Sequence, residues 1–169
     1  MCTVTPATAI DSRVGCLLDG AVVYFQDGHK THCGPRWSKQ GHNHDFGGHE
    51  SEKFDIPEGI SITKVEVGQN GWELDGLRFH LSNGRHGGYL NDSSNNQTLE
   101  PSANDRIIGF YGQSQWGRGF DGIQEFGIIT APVNAELPLS IYDMSELQNT
   151  DGGNGPRPVS FTHPFKSLG

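Results

Sequence analysis

The chain has 169 residues, enough for one domain whose core needs neither disulfides nor a structural metal. Its 12 basic and 20 acidic residues give a formal charge of −8, which argues against the basic face that nucleic acid or an anionic membrane selects. No run of about 18 apolar residues is present, so no membrane-spanning helix is expected, and 24 glycines without a three-residue period exclude collagen and point to short strands joined by tight turns.

Residues 1–15 show no periodicity and read as an N-terminal arm. They lack a charged start followed by an apolar stretch, so the expected compartment is the cytosol, or the exterior with a leader already removed. Cys2, Cys16 and Cys33 are odd in number; either one bridge such as Cys16–Cys33 forms in an oxidising compartment, or all three are free thiols. Ala21-Val22-Val23-Tyr24-Phe25, between Asp19-Gly20 and Asp27-Gly28, reads as a strand between turns. Residues 28–53 hold five of the eight histidines and no apolar period, and read as a long loop.

From Ile60 to Val67 the apolar positions alternate with a phase slip, and from Trp72 to Leu81 they alternate again with a slip at Gly76. With Asn70-Gly71 between them, these segments predict an antiparallel hairpin with a bulge in each strand. Residues 82–89 read as a turn, and Asn91 to Thr98 as a polar loop carrying two glycosylation sequons. Residues 107–112 and 126–130 read as strands, with a Gly-rich connection over 113–122 and one further strand over 137–144. Residues 146–169 read as a C-terminal tail. No amphipathic helix is evident, so the class is all-β.

The order Ile-Thr-Lys-Val-Glu-Val (62–67), Leu-Asp-Gly-Leu-Arg-Phe (74–79), Ser-Asn-Gly-Arg (82–85), Ile-Ile-Gly-Phe-Tyr-Gly-Gln-Ser (107–114) and Ile-Gln-Glu-Phe-Gly-Ile-Ile-Thr (123–130) resembles the jacalin-related lectin domain. The resemblance implies a single antiparallel β-prism over residues 16–145, three four-stranded sheets around a pseudo-threefold axis. It also implies sugar binding by loops at one end, with no cofactor and no metal. Modest affinity per site would be offset by multivalency, so a homo-oligomer is the expected state.

In that family a Gly-x-x-x-Asp motif supplies a carboxylate that accepts from sugar hydroxyls while backbone N–H groups donate. Gly117-Arg118-Gly119-Phe120-Asp121 has this spacing, whereas matching Ile123 to Gly127 with the family's final strand puts Gln124 at the acidic position. Asp121 therefore either accepts from a ligand or serves an Asx turn before Gly122. Trp116 and Phe120 either stack on a ligand or plug the prism end, and Arg118 is either a ligand donor or a solvated charge. Asn83, Arg85 and His86 form a second polar turn, expected to act as a specificity loop.

Rival chemistries are less well furnished. His42, His44, His49 and Asp45 have metal-ligand character, but no Cys-x-x-Cys or His-Glu-x-x-His spacing accompanies them, so solvated loop histidines are expected. Gly112-Gln113-Ser114-Gln115 lacks the second glycine of a nucleophile elbow. The alternative function is a lectin-fold enzyme of secondary metabolism, steering a small hydrophobic substrate through a cycloaddition of hetero-Diels–Alder type. Its donors would come from Arg36, Trp37, His44, Arg85 or Arg118. A third reading is an interaction module that has lost its site.

Overall fold

The computed structural model describes residues 5–14, 18–33, 49–50, 53–70, 73–91, 95–115, 122–134, 140–142, 160–161 and 165–166. These residues form strands and no helix: β1 Ala7–Val14, β2 Leu18–Phe25, β3 Lys30–Cys33, β4 His49–Glu50, β5 Phe54–Asp55, β6 Ile62–Asn70, β7 Glu73–Leu81, β8 His86–Tyr89, β9 Asn95–Leu99, β10 Asp105–Gln115, β11 Gly122–Pro132, β12 Ser160–Phe161 and β13 Phe165–Lys166. The fold is all-β and antiparallel, as the turn-rich composition predicts.

Three sheets are built on three long hairpins, β1–β2, β6–β7 and β10–β11. The first runs β3-β2-β1, with β4 and β5 sharing the far edge of β1. The second runs β8-β7-β6-β9. In the third, β12 and β13 share the far edge of β11. On its other edge the Tyr142 N–H donates to Ile108 on β10 at 2.8 Å, while the Ala7 N–H of β1 donates to Ile141 at 2.7 Å. Residues 141–142 thus strap the third sheet to the first, and each sheet is four positions wide, a prism-like arrangement.

The hairpins repeat one irregularity. Register slips insert an extra residue near the start of each first strand, at Thr8, Thr63 and Ile108. Each second strand carries one as well, at Asp19, Asp75 and Gln124. The slips at Thr63 and Asp75 are the two bulges that the broken alternation predicts. A bulge raises local twist, which a sheet needs to wrap around a shared axis.

Inside the prism Phe79 is 1% exposed and meets Phe54, Phe110 and Phe126 at centroid distances of 5.6, 5.4 and 6.4 Å. Ile10, Val65, Val67, Leu74, Leu77 and Ile128 pack around this aromatic cluster. A second, smaller cluster of Ile108, Ile129, Ala131 and Tyr142 joins the third sheet to the strap.

Several expectations need correction. Residues 7–14 are no arm: they form the inner strand β1, and its successive residues 9–12 are all buried, so Ala9 and Asp11 do not read as an exposed phase. The ends of the 28–53 stretch form β3 and β4, and the polar stretch near Asn96 forms edge strand β9, whose exposed side chains give no apolar period. The tail contributes β12 and β13, each only two residues long and held by β11 rather than by its own pattern. Cys2 and Cys16 lie outside the described residues. No helix among the described residues is long and apolar enough to cross a membrane.

Candidate functional site

The prism has two distinct ends. At one end, the base, Ile141 and Tyr142 bind the starts of β1 and β10. There too Ile56 donates to Thr8 at 2.8 Å, and the chain reaches the start of β6 through a tight turn in which Ile60 donates to Pro57. The far ends of the β1–β2, β6–β7 and β10–β11 hairpin strands, at the rungs Val14–Leu18, Asn70–Glu73 and Gln115–Gly122, therefore share the opposite end. Cys33 pairs with Ala21 and His49 with Val14, so the flanks of the histidine-rich stretch also stand at the tip end. Asn95 pairs with Gln69 and Tyr89 with Leu77, which puts the flanks of 92–94 there as well.

Trp116, Gly117, Arg118, Gly119, Phe120 and Asp121 lie outside the described residues, as do Arg36, Trp37, His42, His44 and Asp45. Their flanks are described: Gln115 pairs with Gly122 as the last rung before the β10–β11 tip. Gln124 is the extra residue between the rungs at Ile123 and Glu125. It therefore occupies the position that Asp19 and Asp75 hold in the other two hairpins. For the first two hairpins the sequence carries a signal, Leu-Asp-Gly at 18–20 and again at 74–76; Ile-Gln-Glu at 123–125 does not repeat it, and only the strand register places Gln124 with them.

The structure does not bring Asn83, Arg85 and His86 to that end. They follow Leu81, whose partner Ile62 begins β6, so they stand at the base. Asn83 acts locally there. Its Oδ1 accepts from the Arg85 N–H at 3.0 Å, while Leu81 and Arg85 close the turn at 2.8 Å. The same construction closes β2, where Phe25 donates to His29 at 2.9 Å and the His29 N–H donates to Asp27 Oδ1 at 3.0 Å. Gly28 and Gly84 take the left-handed position in the two turns, with φ of 91° and 85°. An Asx turn needs a short side-chain acceptor, which explains Asp in one and Asn in the other.

In the first of these turns the His29 imidazole stacks on Phe25 at 4.4 Å and its Nδ1 also meets Asp27. The His29 backbone N–H, then its ring, hold the Asp27 carboxyl below its ordinary value of 3.8. A depressed carboxylate adds stability that is present above its unfolded value and is lost as pH falls through the folded one. In a carboxyl-detected NMR titration, His29→Ala is expected to move the Asp27 midpoint upward, toward 3.8. An unmoved midpoint would show that the ring contributes nothing beyond the backbone.

Near the tips the buried polar groups are Ser12, Gln69 and Asp75, at 0%, 9% and 2% exposure. Gln69 shares the inward phase of Val65 and Val67, and its Nε2 has no hydrogen-bond partner among the described residues. At the base, by contrast, Ser140 Oγ is placed against the Ala7 carbonyl at 3.5 Å, within the strap. No group of three or more His, Cys, Asp or Glu among the described residues is placed to hold a metal ion.

No known protein family matches the chain, and no curated protein matches it in sequence. Solved structures do match in fold. A prostate-specific WGA16 glycoprotein lectin superposes with a TM-score of 0.59 at 18% identity, covering 75% of this chain and 83% of that one. PirB superposes with a TM-score of 0.58 at 18% identity, over 76% of this chain but only 29% of PirB. The fold is lectin-like.

Proposed function

We propose that this protein is a carbohydrate-binding lectin of the jacalin-related type, taking sugar hydroxyls at the β10–β11 hairpin tip. The observation that carries the reading is the bulge at Gln124, which aligns the tip of the third hairpin with Asp-bearing bulges in the other two. The likeness in fold to a solved lectin supports it. In the resembling family this strand position is acidic; here an amide replaces the carboxylate and can both accept and donate. Asp121 and Arg118 supply a charged acceptor and a multi-donor fork within the same tip sequence, and Trp116 and Phe120 supply apolar faces for sugar C–H groups. Single-site affinity would be modest, so tight attachment to a glycan surface would come from multivalency through self-association.

A glycan array with the full chain tests this, with Asp121→Ala and Gln124→Ala alongside. Saturable binding to a defined glycan is expected. Loss of one charged hydrogen-bonding group should weaken it by roughly 10- to 100-fold, from about 1.5–3 kcal/mol per bond. Binding that survives both substitutions would remove the site from this tip. Absence of binding across a broad array would overturn the lectin reading.

A further inference from the structure

The outer face of the second sheet carries a group of side chains that the proposed sugar site does not use. Glu66 on β6, His80 on β7 and His86 on β8 alternate outward, opposite in phase to the core residues Val65, Val67 and Phe79. His80 and His86 are register partners on adjacent antiparallel strands. Their ring centroids are 5.9 Å apart with planes 38° from parallel. His80 Nε2 is 2.6 Å from Glu66 Oε2, and these two side chains are only 27% and 24% exposed.

We propose that His80 and His86 form a two-imidazole site for a divalent late transition ion, Cu²⁺ or Zn²⁺, on the outside of the prism. Two imidazoles on one ion, with N–metal bonds of about 2.0–2.1 Å, put their ring centres roughly 5–6 Å apart. The observed spacing meets this with only side-chain rotation. Glu66 supplies the supporting contact that metal-binding histidines usually have: a carboxylate on one ring nitrogen fixes the tautomer and raises the basicity of the other. With Nε2 held by Glu66, Nδ1 of His80 is the ligating atom, and water completes the coordination. Imidazole ligands select Cu²⁺ and Zn²⁺ over the hard ions Mg²⁺ and Ca²⁺, with Cu²⁺ bound more tightly. Lys64 lies opposite His80 and Arg78 opposite Glu66 in the strand register. These cations oppose a bound ion through space, so the ligand bonds rather than the local field must hold it.

The chain has six further histidines, so the test must resolve the residue. The full chain, labelled at histidine, is titrated with substoichiometric CuCl₂ and followed by NMR, with ZnCl₂ calorimetry on the same protein. The expected result is paramagnetic broadening of the His80 and His86 ring signals at the lowest Cu²⁺ additions. His86→Ala, which truncates an exposed side chain on edge strand β8, should weaken Zn²⁺ binding at this site by at least 10-fold. Glu66→Gln should weaken it by about 10- to 100-fold through His80 alone. Sharp His80 and His86 signals beside broadened ones elsewhere overturn the proposal. So does a Zn²⁺ isotherm that His86→Ala leaves unchanged.

Discussion

Phe79→Ala is expected to cost about 3–5 kcal/mol of folding stability, the range for deleting a buried aromatic ring. Phe79 is 1% exposed and touches rings from both other sheets: Phe54 on β5 beside β1, and Phe110 on β10 with Phe126 on β11. Removing it leaves a void that no single sheet can close, because each wall is pinned by its own hairpin. Total stabilities of domains are about 5–15 kcal/mol, so this one substitution would take between about a fifth of the margin and all of it. Urea denaturation should show a lowered midpoint with an unchanged slope. Phe79→Leu should lose much less, because most of the volume remains. A loss for Phe79→Ala below about 1 kcal/mol would mean that the prism interior collapses freely, against the close packing of protein cores.

Gly88→Ala is expected to cost about 2–4 kcal/mol, from a left-handed backbone and a steric clash together. Gly88 has φ of 92°, and a Cβ there would stand 2.3 Å from the Leu77 carbonyl oxygen. That oxygen belongs to β7, the strand that carries Phe79, so it cannot give way without disturbing the core. β8 is an edge strand, and its detachment is the cheaper response. Hydrogen exchange should therefore rise on β8 before it rises on β6 or β7. Gly84→Ala separates the two contributions. It has φ of 85° but open space at the Cβ position, so it should cost only about 1–2 kcal/mol.

Much of the scaffold was legible in the residues. Alternation of Val65 and Val67 against Leu77 and Phe79 announces a hairpin, and the phase slips announce its bulges at Thr63 and Asp75. Asp27-Gly28 and Asn83-Gly84 announce turns because only such pairs combine a side-chain acceptor with a left-handed glycine. The strands that were missed fail this logic for identifiable reasons. Residues 9–12 of β1 are covered on both faces, so this run of small, polar and apolar residues has no exposed phase. β9 is an edge with four exposed polar residues, and β12 and β13 are too short to show a period.

The candidate site divides in the same way. Sequence alone determined the chemistry offered at the third hairpin: an acidic, aromatic and glycine-rich tip over 116–121, and an amide at Gln124 where the resembling family has an acid. Local composition carries that information because it needs no partner. Tertiary structure alone decided what stands beside what. It aligned Gln124 with Asp19 and Asp75, sent Asn83, Arg85 and His86 to the base, and set His80 beside His86 with Glu66 behind it. Such neighbours are fixed by strand register and by the closure of three sheets on one core. Both depend on contacts between residues far apart in the chain, which no local pattern encodes.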